Sequence, residues 1–434
     1  MTNRTDERSD DPGYDYQGLE WFDCVLPTRR QPWPGDSANA IAAYVKTRDW
    51  RWNGRRTYFL TDIHADADAF FLSLVASGGV AKTGPRDEDF ELTSQGREAL
   101  FIMGGDCFDK GPMTLRLLEA LYQLYSKGAD IKLLAGNHDV RTYLGIYYAE
   151  SKDPLFDHLF VRMGKKTVPL LKELVVKFGS EGVPLTSEEA ATLLFPDESW
   201  YETFPTIASG WIPEEKLQQE VARIQEKRLE FEQCATSVGL SMSEVYLAVK
   251  CFREQFLEPG GRYFWFFERM ELAHRIGSYL FLHGGVDDKT AVIMRDDGVG
   301  QINSEFKRML RDDPFALYHG ELGNTFRTKY RKTDFPFTEI GVCALHESGI
   351  HAIVHGHKKL REGQQLVIRE DILNFECDAS VDINTRIAEN LKGQGGAVVV
   401  FTEDGRVDGI STDYPFIKSF MPGLAGHKDP NGAC

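Results

Sequence analysis

The sequence predicts an α/β protein whose strand-forming segments are interrupted by a helical insert, and two observations carry that expectation. From Thr57 onward, short apolar runs are each followed at once by Gly, Asp, Asn or His, with amphipathic stretches between some of them. Between Tyr143 and Ser278 this texture gives way to long helical periodicity with few strand-like runs. The 434 residues are 42% hydrophobic, enough apolar material for a sizeable core.

Along the chain, residues 1–20 are rich in charge and poor in large aliphatics, which predicts a flexible tail. Tyr58-Phe59-Leu60, Leu100-Phe101-Ile102-Met103, Ile131-Lys132-Leu133-Leu134, Tyr279-Leu280-Phe281-Leu282 and Ala352-Ile353-Val354 read as buried strands. Between the second and third, Met113 to Lys127 has Leu117, Leu118, Leu121 and Leu124 on one stripe, the pattern of a helix crossing back over a sheet. In the insert, Pro213 with Glu214 and Glu215 opens a helix lined by Leu217, Val221, Ile224 and Phe231. Ser243 is the expected N-cap of a second, carrying Val245, Val249, Phe252 and Phe256 before Pro259-Gly260-Gly261 stops it. Strand texture returns at Gln365 to Ile368, Asn374 to Cys377 and Ala397 to Phe401. The expected division is a core domain from 21–142 and 279–415, a helical insert at 143–278 and a tail at 416–434.

Lys plus Arg is 50 against 66 Asp plus Glu, a net charge of −16, which argues against gripping a nucleic-acid backbone. No run approaches the roughly 20 apolar residues of a spanning helix, and the acidic start lacks a signal-like apolar stretch. The expectation is a soluble, cytoplasmic protein away from membranes. Seven cysteines without paired spacing read as reduced packing thiols.

The chemistry concentrates where the strand-like runs end. Asp62 and His64 lie in TDIHAD, Asp106 in GGDCFDKGP, Asn137 in AGNHD, His283 in LHGG, and His355 with His357 in VHGH. Open α/β sheets gather ligands outside strand C-terminal ends, so residues far apart in sequence can meet there. Imidazole, carboxylate and amide oxygen without thiolate suit two divalent transition ions, Mn foremost and Fe or Zn as alternatives, with Asp106 the natural bridge.

These motifs, D-x-H, G-D-x-x-D, G-N-H-D, a later His and H-x-H in that order, resemble the calcineurin-like metallophosphoesterase superfamily. GGDCFDKGP and LFLHGG look most like its protein Ser/Thr phosphatase and symmetrical diadenosine-tetraphosphate hydrolase branch. The resemblance covers about Thr57 to Asp139 and Tyr279 to Ser380. It implies a metallophosphoesterase sandwich of mixed sheets flanked by helices, the insert forming a cap. It also implies that Asp62, His64, Asp106 and His357 hold one metal and Asp106, Asn137, His283 and His355 the other, a bridging hydroxide attacking phosphorus directly. His138 would protonate the leaving oxygen, oriented by Asp109. Lys110 stands where that branch usually has Arg, a point charge in place of a bidentate fork, and is a candidate phosphate contact with Arg141.

The span from His138 to His283 is much longer than that branch's crossover, and a cap there favours a phosphorylated small molecule or a flexible phosphopeptide. The expected function is hydrolysis of phosphate monoesters. Nucleotide polyphosphate hydrolysis or phosphodiester cleavage at the same metals is one alternative, and a non-catalytic scaffold using the insert is another. The aromatic run Tyr263 to Phe267 is expected to pack the insert against the core, the six remaining histidines match no motif, and Asp378 is given no role.

Overall fold

The computed structural model describes residues 27, 29–32, 38–179 and 185–423, so the expected tail at 1–20 lies outside the described residues. Among the described residues, eight strands form a sheet in the order Arg30–Pro32, Ile417–Phe420, Val407–Ser411, Ala397–Phe401, Thr57–Leu60, Leu100–Met103, Asp130–Leu134 and Met270–Glu271. Thr57–Leu60, Leu100–Met103 and Asp130–Leu134 run parallel, while Ala397–Phe401 is antiparallel to Thr57–Leu60. A second sheet orders Gln365–Arg369, Ile372–Glu376, Ala352–His355, Tyr279–Leu282 and Ala273–Ile276, its three inner strands parallel and its two edges antiparallel. The fold is the expected α/β arrangement of mixed sheets flanked by helices.

Strand alternation sorts side chains to two faces. Phe59, Leu100, Ile102 and Leu134 of the larger sheet share one buried cluster with Tyr279, Phe281, Val354 and Phe375 of the smaller. Phe281 sits 5.8 Å from Phe59 and 5.2 Å from Phe401, ring centre to ring centre. Truncating one such ring to Ala costs about 3–5 kcal/mol. Tyr58, Leu60, Phe101 and Met103, on the opposite face, join the cluster that holds Phe70 and Phe71 of the helix Ala67–Ser77 and Leu117, Leu118, Leu121 and Leu124 of the helix Thr114–Ser126.

The expected boundaries shift where short strands escape periodicity. Met270–Glu271 and Ala273–Ile276 fall inside 143–278 yet belong to the two sheets, and Ile417–Phe420 lies past 415 but pairs with Val407–Ser411 and Arg30–Pro32. Residues 424–434 lie outside the described residues. The strand expected at Asn374 to Cys377 runs from Ile372 to Glu376.

Within the insert, Leu159–Met163, Val168–Phe178, Ser187–Leu194 and Glu198–Ile207 precede the two helices expected from the sequence, Glu214–Ser237 and Met242–Phe252. The N-cap is Ser241 rather than Ser243: its side chain accepts from Glu244 N, and Glu244 reaches back to Ser241 N at 2.8 Å. Glu244 lies three residues after Ser241, which is the capping-box spacing, and this decides between the two serines. A single wide turn, Arg253–Leu257, then keeps Phe256 stacked on Phe252 at 4.1 Å. The aromatic run packs inward as expected. Phe266 and Phe267 lie 5.3 and 5.5 Å from Phe108, which sits in the GGDCFDKGP loop. No helix among the described residues is long and apolar enough to cross a membrane.

Candidate metal centre

Parallel register delivers the motif loops side by side. Leu60 lies opposite Met103, and Met103 opposite Leu133, so the loops bearing Asp62, Asp106 and Asn137 leave one sheet edge together. His283 and His355 end adjacent parallel strands of the smaller sheet.

Those loops hold an unusual backbone. Asp62, His64, Asp106, Asp109, Lys110 and His357 have φ of 54°, 49°, 57°, 65°, 68° and 64°. Each non-glycine residue in that region costs of order 1–3 kcal/mol, sustained only where the surroundings over-determine it. Here Asp62 N donates to Gly105 O at 3.1 Å, His64 N to Asp106 O at 2.9 Å and Ala65 N to Cys107 O at 2.8 Å. The buried Asp139 carboxylate locks the second loop, accepting from Asp106 N at 2.8 Å, Cys107 N at 2.9 Å, Gly136 N at 3.0 Å and Phe108 N at 3.1 Å. A Cβ on Gly136 would come within 2.1 Å of Asp106 N, and one on Gly356 within 2.0 Å of Asp62 Oδ2.

Side chains converge on Asp106. Its Oδ2 lies 3.3 Å from His283 Nε2, 3.7 Å from His64 Nε2 and 4.0 Å from His138 Nε2. Asp62 Oδ1 is 3.7 Å from His64 Nε2, and its Oδ2 accepts from His357 N at 2.9 Å. Two groups could each hold a metal ion, His64-Asp106-His138 and Asp106-His283-His357, with Asp106 common to both. The chain next to Asn137 and His355 is tied to the cluster, His138 N donating to Asp106 Oδ1 at 2.8 Å and Gly356 N to His283 O at 3.0 Å, but neither group includes His355, and His357 falls with His283 rather than with Asp62 and His64 as expected.

The donor set fits metal ions on its own hydrogen bonding. A carbonyl oxygen only accepts, so the ring nitrogen facing it carries the proton. His64, His283 and His355 turn Nδ1 to the carbonyls of Phe108, Gly104 and Gly356 at 3.2, 2.8 and 2.9 Å, leaving Nε2 as the ligand nitrogen. His357 turns Nε2 to Arg327 O at 2.9 Å and keeps Nδ1. Backbone carbonyls that fix a tautomer in this way orient metal-binding imidazoles. Asn137 Oδ1, His283 Nε2 and His355 Nε2 are buried without a hydrogen-bond partner, a costly state that a cation would relieve.

Electrostatics agree. Burial raises Asp62 well above the usual carboxylate range, with Asp378 adding to it. Asp106 is also buried, yet its histidine neighbours, His283 first, hold it well below that range. Burial opposes charge on His283, but the Asp106 and Asp62 carboxylates carry it up to about 10, so its Nε2 holds a proton that a cation bound beside those carboxylates would displace. Burial lowers His64, His357 and His355, the last to about 4, keeping lone pairs available. For Asp139, burial and the Asp106 charge push the carboxyl up to about 7, while its four amide donors favour the ionised form.

Beside this cluster His138 turns Nδ1 to Asp109 Oδ2 at 2.8 Å, and Asp109 Oδ1 accepts from Thr167 Oγ1 at 2.9 Å. Burial opposes ionisation of Asp109, but the His138 hydrogen bond lowers its pKa; burial, then Arg141, brings His138 down to about 4. Lys110, expected as a phosphate contact, is half-buried and its Nζ bonds His64 Nε2, which puts the ammonium against an expected ligand nitrogen. Arg141, half-buried one turn beyond His138, has an Nε without a hydrogen-bond partner. Asp139 was visible as the last letter of GNHD, but its four-amide role needs the folded loop. Thr167, on the insert, carries no sequence signal.

The calcineurin-like phosphoesterase family matches the chain over residues 55–221, a stretch holding Asp62, His64, Asp106, Asn137 and His138, with His283, His355 and His357 beyond it. Among solved structures, a cold-active protein-tyrosine phosphatase from a psychrophilic Shewanella is similar at 13% identity, covering 92% of this chain and 91% of its own, with a TM-score of 0.43. A protein serine/threonine phosphatase from Saccharomyces cerevisiae is similar at 14% identity, covering 90% of this chain and 89% of its own, with a TM-score of 0.37. No curated protein sequence matches the chain.

Proposed function

We propose that this calcineurin-like phosphoesterase is a dinuclear-metal hydrolase of phosphate monoesters carried by small molecules or flexible phosphopeptides. The observation that carries the reading is the set of three histidines, His64, His283 and His357, whose tautomers are fixed by backbone carbonyls around a shared Asp106. Asp62, His64, Asp106 and His357 would hold one ion and Asp106, Asn137, His283 and His355 the other, Mn before Fe or Zn on donor chemistry. Two divalent ions bound there acidify water and neutralise the charge of a phosphoryl group.

This chain's own residues supply the rest. With Nδ1–H given to Asp109, His138 presents Nε2 toward the cluster as the nitrogen that hands a proton to the leaving oxygen. An arriving phosphoryl dianion raises the pKa of that imidazole, loading it with the proton it must give. Asp109, itself pinned by Thr167, fixes the ring and balances the imidazolium. Arg141, whose Nε is buried and unbonded, would bring positive charge to a phosphate held beside His138, and Lys110 adds charge beside His64. Cys107, Cys251 and Cys377 are buried and free, which suits a reducing, cytoplasmic setting.

Nucleotide polyphosphate or phosphodiester hydrolysis would use the same groups, and the density of cations next to the centre favours keeping it as a second reading. A panel of phosphopeptides, nucleotides, dinucleotide polyphosphates and an aryl phosphate, run with Mn, Fe or Zn, separates the two by product. Asp106→Asn is expected to lose metal by elemental analysis and to lose activity by about 10³-fold, the scale for one preorganised electrostatic partner. His138→Ala is expected to keep metal and to slow poor leaving groups most, by about 10²- to 10⁴-fold. Turnover of no phosphoester by Mn-loaded protein would leave the scaffold reading in place, and equal slowing of good and poor leaving groups would remove His138 from proton donation.

A further inference from the structure

Tyr318 is buried, and two guanidinium groups lie on its ring: Arg162 Cζ is 5.0 Å and Arg327 Cζ 4.9 Å from the ring centre. Lys227, from the long insert helix, donates its ammonium to the Arg162 carbonyl. Arg141 acts on this group and on the catalytic pair alike, because its charge reaches Tyr318, Asp109 and His138. The cluster abuts the metal centre, since the Arg327 carbonyl receives the His357 ring N–H at 2.9 Å.

Positive charge exceeds its compensation there. Glu220 pairs with Arg162, Asp109 is engaged by His138 and Thr167, and Asp334 is taken up by Thr328 Oγ1, Lys329 N and Arg331 N at 3.2, 2.9 and 2.9 Å. No ion pair reaches Arg141, Lys227 or Arg327 among the described residues. Burial raises the Tyr318 hydroxyl, yet Arg162, Arg141 and Arg327 outweigh it and bring it down to about 7; burial, Arg141 and Arg162 bring Lys227 down to about 7 as well. Polar atoms there also lack partners: Arg141 Nε and Arg162 Nε are buried and unbonded, and His158, fully buried beside Arg162 and Lys227, uses neither ring nitrogen. In a chain of net charge −16, cations crowded into a half-buried cluster cost free energy that a bound anion would recover.

We infer that this cluster binds a second phosphoryl group of the substrate, apart from the one cleaved, so that the substrate is a small molecule carrying two phosphoryl groups. The inference rests on the phosphoesterase reading and names its substrate class. Guanidinium forks match phosphate oxygens in pairs, and a second phosphoryl placed between the insert and the Tyr318–Arg327 segment would draw Arg162, Lys227 and Arg327 onto one ligand.

Two measurements on the full chain test it: kcat/KM of the Mn-loaded enzyme for a sugar bisphosphate against the matching monophosphate, and calorimetric binding of pyrophosphate to metal-free protein. The bisphosphate is expected to be preferred by at least tenfold. Arg162→Gln and Lys227→Gln are each expected to lower that preference, and to weaken pyrophosphate binding, by roughly 10- to 100-fold, the worth of one charged hydrogen bond. Lys227→Gln serves if Arg162→Gln, which also loses the Glu220 pair, does not fold. Equal kcat/KM for both sugars with a ratio unmoved by either variant overturns the inference, as does pyrophosphate binding that neither variant weakens. Variant-sensitive pyrophosphate binding without turnover of any ester would instead keep the anion subsite and sink the phosphoesterase reading.

Discussion

The sheet ends and the insert meet at one point but work by opposite means. At the sheet ends, acidic and imidazole groups are fixed by short loops with left-handed backbone and by carbonyls that dictate each tautomer. On the insert side, long cationic side chains reach in from helices, Arg162 placed by the Tyr318 ring and the Glu220 pair and Lys227 by one backbone carbonyl. On the proposed function, the contrast implies that reactivity would be set by backbone geometry, which tolerates little, and selection among substrates by side-chain charge, which can be graded. Substitutions at the sheet ends should therefore abolish or unfold, and those on the insert should reorder preferences.

The sharpest way to break this comparison is Asp139→Asn. The amide has one acceptor oxygen where the carboxylate offers two, so at least one of its pairs of backbone N–H donors loses its partner, at about 1–3 kcal/mol per orphaned group. Metal affinity is expected to fall about 10- to 100-fold, the scale for an outer partner of a ligand, measured by chelator competition. Unchanged affinity would mean that the Asp106 loop holds itself.

A comparable effect is expected from acid. Glu376 is buried behind His355; burial opposes its charge, but His355, Arg369, Gln365 and Lys358 bring its pKa down to about 2. A carboxyl depressed in the folded state stabilises fully above its unfolded pKa of about 4.5, and that contribution of about 3 kcal/mol is lost as pH falls from about 4.5 to 2. Denaturant unfolding of Glu376→Gln should show a shallower loss of stability across that window than the parent, and identical slopes would assign acid sensitivity elsewhere.

Ser241→Ala is the smallest perturbation and touches only the insert. Loss of the capping box is expected to cost about 1 kcal/mol in thermal or chemical unfolding while leaving metal affinity unchanged. A matching drop in metal affinity would show that insert and sheet ends are not separable.

The meeting of Asp62, His64, Asp106 and His283 was legible in sequence because each of these candidate ligands follows a short apolar strand, and parallel strands must end together. What escaped notice depends on tertiary pairing. Met270–Glu271 is too short for any period, and Ile417–Phe420 looks like tail until Arg30–Pro32 pairs with it. Asp139 and Thr167 act through partners that only the fold supplies, and Lys110, expected as a phosphate contact, turns to His64. The cationic group around Tyr318 was invisible because Arg162, Lys227 and Arg327 lie on three separate segments of an acidic chain.

Phe108 gives the insert a mechanical hold on the chemistry. Its ring is stacked against Phe267 and edged by Phe256 and Phe266, while its own amide is tied to Asp139 and its carbonyl to His64. The insert is thus not a detachable accessory. Cutting it away would strip the aromatic bearing on which the Asp106–Asp109 loop turns, and a ligand that tugs on it would be felt at His64 within a single residue.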